Sequence, residues 1–149
     1  MKQKQPTAWD IGHSNYPIWY FRYKLLQNKI DVLVDVRTFP QSRFAPHFNR
    51  NALRIALEAK HIKYLWLGKR MGGRGINDRY EEAVDEMSDL IKTGVRVCFM
   101  CSERLADEHC HRHTLLEPSF AKRGIEFIHI TCDDAPKKRA KPRQPRLFQ

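Results

Sequence analysis

Residues 30 to 36 have the sequence Ile30-Asp31-Val32-Leu33-Val34-Asp35-Val36. A nearly continuous run of β-branched side chains is typical of a strand that is buried on both faces, as in a parallel sheet. Further strand candidates lie at residues 7–12, 63–67, 95–101 and 125–130, and helical patterns lie between them after Pro17, from Asn49, over 80–92 and over 110–122. This alternation predicts an α/β fold: a single Rossmann-like domain of about five mostly parallel strands with helices on both faces.

The basic residues are concentrated at the end of the sequence. The formal net charge of the 149 residues is +10, and no acidic residue follows Pro136. The basic residues beyond that point are Lys137, Lys138, Arg139, Lys141, Arg143 and Arg146. We therefore predict one domain over residues 1–132 and a flexible, disordered basic tail over 133–149. Such a tail is attracted to polyanions, which makes nucleic acid or a nucleotide the expected partner. The alternative is a tail whose charge only keeps the protein in solution.

Membrane insertion and secretion are not expected. No apolar run approaches the roughly 20 residues that cross a bilayer, and no apolar stretch resembling a signal peptide precedes the first strand. A cytoplasmic location is predicted, where disulfides between the cysteines are not expected.

Polar side chains follow several of the predicted strands. The first strand ends in Gly12-His13-Ser14, the second in Asp35-Val36-Arg37 and the fourth in Cys101-Ser102-Glu103, and the next helix begins with Cys110-His111-Arg112. Ligands bind outside the carboxyl ends of parallel strands, so these groups are expected to converge on one rim of the sheet.

Two roles are predicted for this rim. The candidates for acid-base or nucleophilic catalysis are Asp35, Cys101, Glu103, Cys110 and His111. The candidates for ligand or phosphate binding are Gly12, His13, Ser14, Arg37, Arg43 and Arg112, and amides of Gly72-Gly73-Arg74 could also approach a phosphate. Structural alternatives remain open: Asp35 and Arg37 as a buried ion pair, and Ser14 as a helix cap.

Cys101 and Cys110 have three interpretations. A thiol near His111, Arg112 and a helix start is favoured as a thiolate nucleophile. Alternatively, both thiols pack around a pocket. A zinc set is the third interpretation, formed from Cys98, Cys101, Cys110, His111 and His113. Cys98 and Cys101 flank a strand end rather than a knuckle turn, and no second CxxC exists, so we expect no structural zinc and assign no metal ligand or cofactor. Cys98 is predicted to be a core residue.

These residues resemble an uncharacterised bacterial and archaeal family known as domain of unknown function 488. The similarity spans about residues 7 to 131. It rests on residues 11–14, 34–37, 39–43, Pro46, Phe48-Asn49, 67–68, 72–73, 100–103 and 110–112. Where the family usually has alanine, this chain has Ser102. The resemblance implies the parallel-sheet fold and a shared site, and it implies no particular reaction.

The segment Gln144-Pro145-Arg146-Leu147-Phe148 looks like the pentapeptide that binds the bacterial DNA sliding clamp. Gln144 would supply directional hydrogen bonds, and Leu147 and Phe148 would fill an apolar pocket. The alternative is a tail that folds back onto the domain through Leu147 and Phe148.

The leading hypothesis is an enzyme of DNA maintenance that acts on DNA or a nucleotide-like group and is tethered to the sliding clamp. Hydrolysis of a phosphodiester or glycosidic bond is the expected reaction. A non-catalytic module that binds a nucleotide or a DNA end is one alternative. A thiol or sulfur-transfer enzyme that uses Cys101 is another.

Overall fold

The computed structural model describes residues 4–103 and 110–136. Its strands are β1 (Thr7–Gly12), β2 (Val32–Asp35), β3 (Lys63–Trp66), β4 (Val97–Cys101) and β5 (Glu126–His129). They form one sheet in the order β3-β2-β4-β1-β5. Every pairing is parallel, so the predicted α/β fold is confirmed and the described sheet is parallel throughout.

Helices cover both faces of the sheet. The helices are α1 (Ile18–Gln27), α2 (Arg50–Glu58), α3 (Gly68–Met71), α4 (Tyr80–Lys92) and α5 (Glu117–Ala121). Helices α1 and α2 pack in the core on one face, and α3, α4 and α5 pack in the core on the other.

Strand β2 is buried on both faces, as its composition predicts. Leu33 packs with α1 and α2, whereas Val32 and Val34 pack with α4 on the opposite face. Successive side chains of a strand point to opposite faces, and each buried aliphatic side chain contributes about 1.5–3 kcal/mol. The same alternation places Cys98 in the core beside α1 and Cys101 in the core beside α4. The prediction that Cys98 is a core residue is confirmed.

The helix predicted over residues 110–122 is broken in two. A π-helical turn spans Arg112–Leu116, and α5 starts immediately after it with Pro118 in its first turn. Proline has no backbone N–H, so residue 118 cannot donate the bond that a continuous helix would require.

Asn49 does not cap α2 with its side chain. The residue stands at the cap position, but its Oδ1 accepts a hydrogen bond of 2.7 Å from the backbone N–H of Ser42. Asn49 thereby connects α2 to the long loop 37–48, which contains two prolines and several aromatic residues. That loop contains one 3₁₀ turn, Pro46–Phe48.

Residues 133–136, which the sequence analysis assigned to the tail, lie against α1. Asp134 accepts a hydrogen bond from the hydroxyl of Tyr20, and it forms an ion pair with Lys24 at 3.3 Å. The remainder of the predicted tail, 137–149, lies outside the described residues, as do Gln144, Leu147 and Phe148. In the described ranges, the helices are too short or too polar to cross a bilayer.

Candidate functional site

The carboxyl ends of β1, β2 and β4 lie side by side. Gly12 of β1 is in register with Cys101 of β4, and Asp35 of β2 is in register with Met100. The chain keeps this pairing beyond the strands, because the backbone N–H of His13 donates to the carbonyl of Cys101 at 2.9 Å. The three polar strand ends predicted from the sequence therefore meet at one rim.

Asp35 and Arg37 form a buried ion pair. Arg37 donates from Nε to Oδ1 at 2.9 Å and from Nη2 to Oδ2 at 2.7 Å, and its backbone N–H donates to Oδ1 at 3.0 Å. The hydroxyl of Tyr64 donates to Oδ2 at 2.6 Å. All four acceptor positions of the carboxylate are occupied. The geometry therefore favours the structural interpretation, in which Asp35 positions Arg37 instead of handling a substrate proton.

His13 is buried and neutral beside this pair. Its Nδ1 donates to the carbonyl of Ser14 at 2.7 Å, and its ring stacks on Phe48 with centroids 4.6 Å apart. Burial and the nearby charge of Arg37 lower the pKa of His13 to about 4. Ser14 does not cap α1, because Pro17 stands at the cap position.

Cys101, Cys110 and Glu103 form a compact cluster. The two Sγ atoms are 3.5 Å apart, and Oε2 of Glu103 lies 3.2 Å from Sγ of Cys101 and 3.8 Å from Sγ of Cys110. The hydrogen bond from Cys101 and the contact from Arg112 Nε at 3.3 Å lower the pKa of Cys110. The same hydrogen bond, together with burial, raises the pKa of Cys101. The thiolate is therefore favoured on Cys110 rather than on Cys101.

His111 completes this cluster. One ring nitrogen lies with the two sulfurs and the Glu103 carboxylate in a set whose donor atoms are all within 4.8 Å of one another. The ring packs against Gly73, where a Cβ atom would lie 2.8 Å from Nδ1. Burial lowers the pKa of His111, which is consequently neutral near pH 7. These four side chains form the group of histidine, cysteine and acidic residues, among those that the structure describes, that could hold a metal ion.

Arg112 lies beneath the rim. Its Nη1 donates to Oδ1 of Asp10 at 2.7 Å and its Nη2 to the carbonyl of Glu103 at 2.9 Å, and its side chain is 1% exposed. These contacts give Arg112 a positioning role. The predicted phosphate-binding role does not fit its burial.

A cavity of about 560 Å³ opens above the rim. The predicted residues that line it are His13, Arg37, Arg43, Gly73, Arg74, Cys101, Glu103 and His111. The remaining rim residues named from the sequence do not line it: Gly12, Ser14, Asp35, Cys110 and Arg112.

The loops over this cavity supply residues that the sequence analysis missed. Phe39 and Phe44 are 69% and 89% exposed, and both line the cavity. The predicted Arg43 lies there too, as does Arg74, which was predicted only for its backbone amide, and neither guanidinium group has a hydrogen-bonding or ion-pair partner among the described residues. The available signal was topological, because a loop that follows a parallel strand lies over its carboxyl end.

A cavity of similar size, about 550 Å³, lies at the opposite end of the sheet. It is bordered by Trp9 and by Arg96, whose guanidinium group stacks 4.1 Å from the Trp9 ring. The residues predicted to be catalytic lie at the carboxyl ends of the strands, so the cavity above the rim is the candidate site.

Comparison with known proteins bears on the family and not on the reaction. Neither the curated proteins nor the solved structures gave a significant match to this chain. The matched residues include Asp35, Arg37 and Gly73. The match begins after Gly12 and ends before the cysteine cluster. Residues 20–82 match the model described as domain of unknown function DUF488, which confirms the predicted family resemblance over those residues.

Proposed function

We propose that this protein is an enzyme of DNA maintenance that binds a nucleotide or single-stranded nucleic acid in the rim cavity and hydrolyses a phosphodiester or glycosidic bond. One observation carries the proposal. The cavity combines two exposed phenylalanines, Phe39 and Phe44, with two arginines, Arg43 and Arg74, whose guanidinium groups have no partner within residues 4–103 and 110–136.

The two pairs of residues suit the two parts of a nucleotide. Aromatic side chains stack on bases that are not held in a duplex, and each stacked base is worth about 1–3 kcal/mol. Arginine binds phosphate through paired N–H groups. The cavity volume also lies within the range of small-molecule sites.

Glu103 is the best-placed general base. Its side chain is exposed at the cavity, unlike that of Asp35. In the proposed step, Glu103 takes a proton from a water molecule while the water oxygen bonds to phosphorus or to the sugar carbon. The bond to the leaving group breaks, and that group departs with the electron pair.

Binding is tested with the full chain and two probes, a fluorescently labelled single-stranded DNA oligonucleotide and AMP. Replacing Phe39 and Phe44 by alanine should weaken oligonucleotide binding by about 10-fold or more, since stacking is lost. Replacing Arg43 and Arg74 should also weaken it and should make the salt dependence shallower by about one unit of slope.

Matched controls separate this site from general charge and surface effects. Tyr23→Ala removes an exposed aromatic residue of α1, and Lys92→Ala with Lys122→Ala removes two exposed cations at the far ends of α4 and α5. Equal losses in control and cavity variants would overturn the assignment of the site.

Turnover is tested separately with Glu103→Gln. We expect cleavage of the oligonucleotide to be lost while its binding is retained. If the wild-type protein binds the probes but breaks no phosphodiester or glycosidic bond, the alternative of a non-catalytic binding module is correct.

A thiol or sulfur-transfer enzyme is the second candidate, with Cys110 as the reactive thiol in place of the predicted Cys101, because Arg112 Nε contacts Cys110 Sγ at 3.3 Å. Cys110 and Cys132 are both buried, but the pKa of Cys110 is lowered and that of Cys132 is raised by burial, so iodoacetamide should alkylate Cys110 faster, and peptide mass spectrometry distinguishes the two. Equal slow labelling of both thiols would exclude this candidate.

A further inference from the structure

We propose that Cys101, Glu103, Cys110 and His111 bind a divalent cation of the zinc class. Thiolate and imidazole ligands select such ions over magnesium or calcium. The four donor atoms come together although the chain supplies them from β4, from the residues after it and from the start of the next helical segment.

The spacing of the donors fits a tetrahedral ion. Bond lengths of about 2.3 Å to sulfur and about 2.0–2.2 Å to oxygen place two sulfurs about 3.8 Å apart and sulfur and oxygen about 3.6 Å apart around one tetrahedral centre. The observed distances are 3.5 Å between the sulfurs and 3.2 and 3.8 Å from Glu103 Oε2 to each sulfur. For these three donors, adjustments of a few tenths of an ångström would suffice, and the His111 nitrogen lies within 4.8 Å of each of them.

His111 provides an independent indication. Its Nε2 is buried and has no hydrogen-bond partner among the described residues. A buried ring nitrogen without a partner is costly, and coordination to a cation would satisfy it. The ring lies against the backbone of Gly73, where any side chain would collide with it, so glycine at this position leaves room for the ring.

The charges around the cluster also favour a cation. Two thiolates and the Glu103 carboxylate would carry three negative charges, of which a divalent cation would offset two, and Arg112 lies beside them with its Nε 3.3 Å from Cys110 Sγ. Arg112 is itself held by Asp10 through a contact of 2.7 Å. Groups of this kind behind the ligands orient them and tune the metal.

Two of the residues considered for zinc in the sequence, Cys98 and His113, lie outside this cluster. Cys98 packs on the opposite face of the sheet from Cys101, since residues three apart on a strand point in opposite directions. His113 is exposed and contacts Glu117 at 3.3 Å. Glu103, which was predicted only as a catalytic residue, replaces both of them.

The site borders the cavity on one side. Cys101, Glu103 and His111 all line it, and Glu103 is the exposed member of the set. A water molecule could therefore replace Glu103 as a ligand, which would leave the Glu103 carboxylate beside the water to accept its proton, and zinc lowers the pKa of such a water to about 7. A role for this water in hydrolysis depends on the proposed function, whereas metal binding does not.

The test uses the full chain, purified without chelator and kept reduced. Elemental analysis by mass spectrometry should find one zinc per chain, and the metal-free protein should take up one zinc or one cobalt ion. Cobalt should produce a thiolate-to-metal charge-transfer absorption, which reports sulfur ligation directly. Cys101→Ser and Cys110→Ser should each abolish stoichiometric binding and this absorption. Cys132→Ser, which removes a buried thiol from the opposite core, should change neither.

Two outcomes would overturn the proposal. One is a folded, reduced wild-type protein that takes up neither ion, and the other is undiminished binding by the variant that lacks both Cys101 and Cys110. Circular dichroism of each variant identifies loss of folding, and His111→Gln provides a ligand variant outside the core. Because no nucleotide is present, the result is independent of the oligonucleotide assays.

Discussion

Arg112 donates a hydrogen bond to the carboxylate of Asp10 across 2.7 Å, and each side chain is 1% exposed. The two residues are 102 positions apart in the chain. Their ion pair joins β1 to the π-helical turn and holds Arg112 against Cys110. Asp10 also contacts Nδ1 of His129 at 2.5 Å. Burial raises the pKa of Asp10, and the charges of Arg112 and His129 oppose that rise.

Asp10→Asn should strongly destabilise the fold. The variant leaves the buried guanidinium without its counter-charge, and breaking a buried pair costs about 3–5 kcal/mol. Equilibrium unfolding in urea measures the loss. Glu58→Gln, which breaks the exposed pair between Arg54 and Glu58, is the control and should cost less than about 1 kcal/mol. A loss of that small size for Asp10→Asn would show that the pair contributes little.

This ion pair marks the limit of what the sequence could predict. The strands followed from apolar runs such as 30–36, and the convergence of their ends followed from the parallel topology. The sequence could not predict which side chains at the rim face the cavity, because their orientation depends on hydrogen-bonding partners that are distant in the sequence. Asp35 and Arg112 have side chains that could bind a ligand. However, Asp35 accepts a hydrogen bond from Tyr64 of β3, and Arg112 donates one to Asp10 of β1.

The alternation of strand side chains could have improved the interpretation of the cysteines. Cys98 and Cys101 had to point to opposite faces once both were assigned to one strand. The approach of Glu103 to both sulfurs could not be anticipated in this way, since Glu103 lies beyond the end of β4. Its position is set by the backbone that continues past the strand.

Stability should fall in mild acid because of His13. Burial holds its pKa at about 4 in the folded protein, whereas an unfolded histidine has a pKa near 6.5. Between these values the unfolded chain binds a proton that the folded chain does not, so stability decreases as the pH falls from about 6.5 to 4. The difference corresponds to up to about 3 kcal/mol.

Urea unfolding at several pH values checks this contribution. His13→Asn should flatten the pH dependence in that window, while the same substitution at the exposed His61 should leave the slope unchanged. If His13→Asn retains the full slope, other groups cause the acid sensitivity.

Gly73→Ala should weaken metal binding without unfolding the protein. The new Cβ would lie 2.8 Å from Nδ1 of His111, so the imidazole must move away from its position. Displacing an oriented ligand costs about 10- to 100-fold in affinity. Cobalt titration followed by absorption measures the change. Asn77→Ala, in the same loop, is the control, and identical affinities for the two variants would mean that Gly73 does not position the ring.

We also expect the peptide of residues 140–149 to bind the bacterial sliding clamp through Leu147 and Phe148. This proposal depends on the sequence pattern Gln144-Pro145-Arg146-Leu147-Phe148 alone, since these residues lie outside the described part of the chain. Apolar anchors carry most of the binding energy of such peptides, whereas basic residues act through salt-sensitive contacts with phosphates. Replacing Leu147 and Phe148 by alanine in the full chain should therefore abolish clamp binding and leave salt-sensitive DNA binding nearly intact. Replacing Lys137, Lys138 and Arg139 by glutamine should do the reverse. Surface plasmon resonance with immobilised clamp and with immobilised DNA measures both effects. A wild-type peptide without affinity for the clamp would refute the tether and leave the basic charge of residues 137–149 and the cavity as the arguments for nucleic acid.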